Sequence, residues 1–380
     1  DQEFGGIGLE LGIDDQTRAL PVLAPLPGSP AWRAGILAGD RIEAIDGQST
    51  AGLPIREAVR RLRGRPGDPV RLRVVSAAAR GTLDAAAVET ARDVPLVREV
   101  VKVESVLGDR RRPDGTWEWF VADEPGVAIV RITSFGDHTV ADLDAALEAI
   151  KRQAGDGLRG LVVDLRGNPG GLLSAACETC DRFLDEGVIV STAGRRSGAG
   201  AGDAATTRRA EPGVALPGVP LAVLVDGLTA SAAEIVAACL QDHHRATIVG
   251  SRTFGKGTVQ SILPLSDGRS LLKLTTSEYL RPSRVAIHRR PGDSENTVWG
   301  VSPDPGFEIA PTAEQLERTR RWRRARDLAD QGPAAAASPR DADPVLALAV
   351  RQFSRPTAAT DLRGQEETAG HTDEAPPRRE

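Results

Sequence analysis

The 380-residue chain has no methionine, three cysteines, one tyrosine and 3% aromatic residues, and each shortage closes a route. Three thiols, Cys177, Cys180 and Cys239, are too few for a disulfide scaffold or a four-sulfur zinc site. The spacing C-E-T-C sits within a helical pattern, and packing, a local or redox-sensitive disulfide and a metal contact remain open readings of it. Five scattered histidines show no ligand spacing, so neither a metal nor a cofactor is expected. No run approaches the roughly 18 apolar residues of a membrane span, and no basic, apolar leader precedes Asp1. The missing methionine, initiator included, points to a trimmed or processed protein, so the want of a leader says little about location. A net charge of −5 argues against nucleic acid as a partner. The basic run R-T-R-R-W-R-R-A-R, from Arg318 to Arg326, therefore reads as a solvated helix face.

What is present is glycine, proline and regular apolar patterning. Up to about residue 77, short alternating strands are broken by Gly and Pro, with helical patterns at S-P-A-W-R-A-G-I-L and L-P-I-R-E-A-V-R-R-L-R-G. Residues 76–94 are Ala-rich and weakly periodic, a boundary or an edge strand, and a second unit begins at Pro95. There the apolar runs of L-R-G-L-V-V-D-L-R-G-N-P-G-G and P-L-A-V-L-V-D-G read as buried strands entering glycine turns and helices, the alternation of an α/β unit. A Gly/Ala/Arg stretch around residues 191–209 separates the two, and is expected to be flexible. After Pro311 the pattern decays into the basic helix, an Ala/Pro linker, the helix-like D-P-V-L-A-L-A-V-R-Q-F and a polar tail for which disorder is the default.

F-G-G-I-G-L-E-L places glycines ahead of a strand, where main-chain N–H groups can converge on an anion. A free peptide carboxylate is the natural guest of such a loop beside a groove. With G-S-P-A-W-R-A-G-I-L-A-G-D-R-I-E-A-I-D-G following, the stretch resembles a PDZ domain over residues 5–77. That resemblance implies that Ile7, Gly8 and Leu9 supply the amides for the free C-terminus of a bound polypeptide.

Ser231, Lys256 and Gln260 form the second constellation. A serine hydroxyl needs a base as it attacks, and lysine can serve only with its amine neutral, which desolvation favours. Lys256 lies between Gly255 and Gly257 with no carboxylate neighbour in sequence, and Gln260 would share its face in an extended segment. Ser231 sits where a strand ends and a helix begins, a place that can stabilise an oxyanion. Singly, each has a plain structural explanation, Ser231 as a helix cap above all.

Together they accompany A-S-A-A-E-I, A-C-L-Q-D, T-F-G-K-G-T-V-Q, L-S-D-G, Y-L-R-P-S and G-V-S-P-D, with 25 positions from Ser231 to Lys256. The set resembles the carboxyl-terminal processing, or tail-specific, proteases, PDZ-containing Ser/Lys endopeptidases, over roughly residues 4–309. The resemblance implies Ser231 as nucleophile, Lys256 as general base and Gln260 as its orienting partner, while Thr229 is not the nucleophile. It assigns L-R-G-N-P-G-G an oxyanion role, with amides from Gly171 and Ala232. It further implies a small β-rich PDZ domain (5–77) and a crotonase/ClpP-like α/β protease core (78–310), whereas the basic helix and low-complexity tail of residues 311–380 depart from the family. Substrates would be proteins with free C-terminal tails, in an extracytoplasmic setting, with membrane-proximal or homo-oligomeric assembly open. Relatives carry helical segments ahead of the PDZ domain, whose absence here would leave the protein inactive or differently assembled. Three other readings stay in view. One is an inactive PDZ adaptor, another an acyl-CoA enzyme on a crotonase-like core. The third is a Ser/His/Asp hydrolase using His243 or His244, although no G-x-S-x-G is present.

Overall fold

The runs V-A-I-V-R-I, G-L-V-V-D, L-A-V-L-V and A-T-I-V-G lack polar alternation, as strands covered on both faces do. A computed structural model describes residues 3–14, 17, 19–76, 90–194, 206–265, 270–294, 296–328 and 333–354. In it these runs are the strands Val127–Ile132, Gly160–Asp164, Leu221–Val225 and Ala246–Gly250, paired in parallel in that order. Val106–Leu107 adds an antiparallel edge beside Val127–Ile132.

The two faces of this sheet have different covers. Ala128, Val130, Val163 and Val223 face the helices Thr139–Ala154, Leu173–Asp181 and Ala232–Asp242. Ile129, Val162, Ala222 and Leu224 face Trp322, Leu346, Val350 and Phe353. The second set corrects the expectation for the segment after Pro311. Far from being only a solvated basic helix, Ala313–Asp327 buries Trp322, Arg323 and Arg326, and Pro344–Arg351 buries Leu346 and Val350. Arg323 and Arg326 both pair with Asp109, which has no exposed surface, so the basic run is partly an internal counter-charge. Residues 355–380 of the expected tail lie outside the described residues.

The amino-terminal unit is a six-stranded antiparallel sheet with the helices Pro30–Arg33 and Ile55–Leu62, closed around Leu20, Ile42, Leu72 and Val74. It extends past the expected boundary at residue 77. Ala91–Val97 pairs along the whole of Pro69–Val75, so Pro95, expected to open the second unit, lies opposite Arg71 in the first. Residues 77–89 between them lie outside the described residues. Glu99–Lys102 then pairs with Glu3–Gly6.

A third, antiparallel sheet orders Thr207–Arg209, Val188–Gly194, Leu271–Leu280 and Thr258–Pro264. Residues 195–205, at the centre of the expected flexible stretch, lie outside the described residues. All three cysteines are buried core residues, and burial pushes the Cys177 thiol up to about 11. Among the described residues no helix is long and apolar enough to cross a membrane.

Candidate active site

In parallel sheets the usable crevice lies outside the carboxyl ends of the strands. Two loops meet there. The turn of L-R-G-N-P-G-G leaves Gly160–Asp164, and the turn D-G-L-T-A-S leaves Leu221–Val225 and enters Ala232–Asp242 at Ser231. A Cβ added to Gly170 would lie 2.8 Å from the Ser231 Cβ and 2.9 Å from the Ala232 nitrogen, so the turns are in contact and only glycine fits. Ala230 N donates to the Asn168 carbonyl at 2.9 Å, and Asn168 Nδ2 reaches the Ile132 carbonyl at 2.8 Å, locking the pair to the next strand.

Ser231 has φ 59° and ψ −119°, an uncommon conformation for a residue with a side chain, costing roughly 1–3 kcal/mol. Glu234 holds it there. Glu234 is fully buried, and its Oε2 accepts from the main-chain nitrogens of both Ser231 and Lys256 at 2.8 Å. Those two nitrogens are therefore no further apart than twice that distance. Oε1 accepts from Gly255 N and Thr253 Oγ1, each at 2.6 Å, and Val301 N of G-V-S-P-D donates to Thr253 Oγ1 at 2.8 Å. One carboxylate thus gathers the serine turn and the lysine loop, with Thr253 extending the tie to a third segment. Burial raises the Glu234 pKa, against the opposing pull of these hydrogen bonds. The sequence shows this glutamate only as a member of A-S-A-A-E-I, with no role of its own, although S-x-x-E at a helix start is a capping-box signal.

The oxyanion candidates are the amides of Gly171 and Ala232. Phe135 N donates to the Gly170 carbonyl at 3.0 Å and Leu172 N to the Phe135 carbonyl at 2.8 Å, which leaves the Gly171 amide between them without an acceptor among the described residues. Ala232 N likewise has none. Gly171 has φ 147°, and a Cβ there would lie 1.9 Å from the Phe135 carbonyl oxygen, which excludes any other residue.

Lys256 and Gln260 are both exposed, so the expected desolvation of the lysine is not present in the free protein. Its glycine neighbours have no side chains with which to cover it. Nor does strand alternation align the two: Lys256 precedes the strand Thr258–Pro264, and a register shift falls between Val259 and Gln260. Among the described residues no hydrogen bond or ion pair engages the Lys256 amine. Thr229 Oγ1 is buried and donates to the Leu165 carbonyl at 2.9 Å, which removes it as a nucleophile. His243 caps the far end of the serine helix, about 16 Å along an 11-residue helix, and its Nε2 lies 2.8 Å from the Val188 carbonyl. His244 follows it, so neither histidine serves Ser231.

In the amino-terminal unit, Ala31 N holds the Ile7 carbonyl at 3.0 Å and Leu26 N holds the Gly8 carbonyl at 2.8 Å. With the carbonyls tied back, the Ile7 and Gly8 amides have no acceptor among the described residues, while Leu9 begins the strand Leu9–Leu11. They open on a cavity of about 360 Å³ lined by Leu9, Leu11, Leu26, Val59 and Leu62. Val103, well past the expected domain boundary, also lines it.

A model of peptidase family S41 matches residues 126–305, and a model of the PDZ domain matches residues 22–76. The carboxy-terminal-processing protease of Bartonella bacilliformis is 38% identical over 286 residues, 75% of this chain and 59% of that protein. The carboxyl-terminal-processing protease of Synechocystis sp. is 36% identical over 312 residues, 80% of this chain and 63% of that protein. The chain thus spans about three fifths of the length of these curated relatives. A putative S41 protease from Bacteroides fragilis superposes with a TM-score of 0.51 over 93% of this chain and 84% of that one, at 16% identity, a likeness of fold.

Proposed function

We propose that the chain, matched by the model of peptidase family S41 over residues 126–305 and by that of the PDZ domain over residues 22–76, is a Ser/Lys endopeptidase that selects proteins by their C-terminal tails. The observation that supports this most is the shared hold of Glu234 on the main chains of Ser231 and Lys256, beside two amides without acceptors. In this reading a substrate polypeptide lying over the exposed Lys256 supplies the desolvation that a lysine base requires. The amine then takes the Ser231 proton as Oγ attacks the scissile carbonyl, and Gln260 orients it. The Gly171 and Ala232 amides receive the developing oxyanion. Collapse expels the amine of the leaving segment, protonated by Lys256, and water releases the acyl group by the reverse sequence.

The Ile7, Gly8 and Leu9 amides take the free carboxylate of the tail, and the apolar groove takes its last side chains. An extracytoplasmic location follows from the family likeness alone, and fractionation of producing cells tests it.

The test of the activity is incubation with an unstructured protein ending in an apolar tail, with products read by mass spectrometry. Ser231→Ala and Lys256→Ala should each abolish cleavage, a loss on the order of 10³-fold or more, with tail binding intact. Amidation of the tail should weaken capture. Full-rate cleavage by Lys256→Ala would remove the dyad, and binding without cleavage by the parent protein would make it an adaptor.

A further inference from the structure

We propose that Asp343 is a positioning residue for this hydrolysis, fixing through Arg166 the turn that presents the Gly171 amide. The proposal rests on the oxyanion role given to Gly171 above.

Arg166 is the arginine of L-R-G-N-P-G-G, at the root of the turn. Its guanidinium bridges two carboxylates. Nε and one terminal nitrogen lie 2.9 and 2.7 Å from the Asp164 oxygens, and the two terminal nitrogens lie 2.9 and 2.8 Å from those of Asp343. Asp343 has no exposed surface and caps the helix Pro344–Arg351, accepting from Leu346 N at 3.0 Å. That helix packs on the sheet face opposite the serine helix. Phe353, just beyond it, is so close to Gly160 that an added Cβ would lie 2.5 Å from the ring. The carboxyl-terminal helices therefore grip one strand at both ends, at Gly160 and at Asp164–Arg166.

Past Arg166 the turn has little slack. Gly167 N donates to Asp226 Oδ1 at 2.9 Å and Gly170 N to Asn168 Oδ1 at 2.8 Å, so a tilt at Arg166 is passed on to Gly171. A buried ion pair is weak evidence for stability, since apolar replacements often do as well. What two carboxylates on one planar guanidinium do supply is a fixed orientation. Asp343 lies beyond residues 126–305, so the device comes from outside the matched peptidase segment.

Asp343→Asn is the informative variant, because Asn caps a helix as well as Asp while removing the charge. Asp343→Ser, which also caps, guards against a folding defect peculiar to one substitution. With the tailed protein as substrate, kcat should fall on the order of tenfold or more, with KM within about twofold. Affinity for a peptide aldehyde, whose adduct with Ser231 would use the same amides, should fall in parallel with kcat. Hydrogen exchange should quicken over residues 166–172 and stay unchanged over 232–242. Unchanged kcat and aldehyde affinity in a folded variant, or a raised KM at constant kcat, would overturn the proposal. If the parent protein cleaves nothing, the peptidase reading falls, and hydrogen exchange alone decides whether Asp343 holds the turn: quickened exchange upholds it and unchanged exchange removes it.

Discussion

Two fully buried carboxylates flank the candidate site, and they are stabilised by opposite means. Glu234 accepts from three main-chain amides and one hydroxyl, and among the described residues no cation pairs with it. Burial wins there and raises its pKa. Asp343 is as deeply buried, but although burial pushes its pKa up, the charge and hydrogen bonds of Arg166 outweigh burial and hold it below the usual carboxylate range. Neutral donors allow one acid to gather several loops, because each amide comes from a different stretch of backbone. A cation engages both oxygens of the acid at once and is fixed in orientation by them, with the Leu346 amide the one further donor on the Asp343 carboxylate among the described residues. The loops of Ser231 and Lys256 are held by the first device and the turn of Gly171 by the second.

Removing the partner rather than the acid separates the two most sharply. Arg166→Ala removes the hydrogen-bonded counter-charge of Asp164 and Asp343, leaving them only the more distant charge of Arg323, and should cost about 3–5 kcal/mol of unfolding free energy, measured in denaturant. Glu234→Gln keeps one oxygen but turns an amide N–H₂ toward donors. It should cost less, about 1–3 kcal/mol, yet lower kcat on the order of 100-fold, because the serine turn and the lysine loop lose their common anchor. Should Glu234→Gln prove the more destabilising of the two, or leave kcat intact, the division between a gathering acid and an orienting one fails.

The contrast also explains what could be read from the sequence. Ser231, Gly171 and Ala232 stood out only through the resemblance of their motifs, since a serine at a helix start and a glycine turn after a strand each have a plain structural use. The buried parallel strands were legible from their unbroken apolar runs. Glu234 stood in the sequence only as a member of A-S-A-A-E-I, since nothing local reveals that Thr253, Gly255 and Lys256 return to it. The charge of the Arg318–Arg326 run suggested solvent, because the partner, Asp109, lies more than 200 positions away in the sequence. The same distance hid the role of the carboxyl-terminal helices: L-A-L-A-V-R is apolar enough to be a helix, but the sheet face it covers is announced nowhere near it. An edge strand was one of two readings of residues 76–94, but its continuation through Pro95 as Ala91–Val97 was missed; proline is tolerated there because this is the edge of the sheet.

The finest test is the direction in which each acid links stability to pH. Asp343 has a lowered folded value, so its contribution is fully present above the unfolded carboxylate value and is lost as pH falls through the folded one. Glu234 has a raised folded value, so between the unfolded and folded values the unfolded state ionises first, and stability falls as pH rises across that window. The difference in unfolding free energy between the parent and Asp343→Asn should therefore change on the acid side of the ordinary aspartate range. The difference between the parent and Glu234→Gln should change on the alkaline side of the ordinary glutamate range, with the opposite slope. Urea titrations at a series of pH values from about 3 to about 7 resolve both, because these windows lie on either side of the ordinary carboxylate value of about 4. Two slopes of the same sign would mean that the hydrogen-bond donors around Glu234 stabilise its charge as fully as Arg166 stabilises that of Asp343, and the two acids would then differ in reach alone.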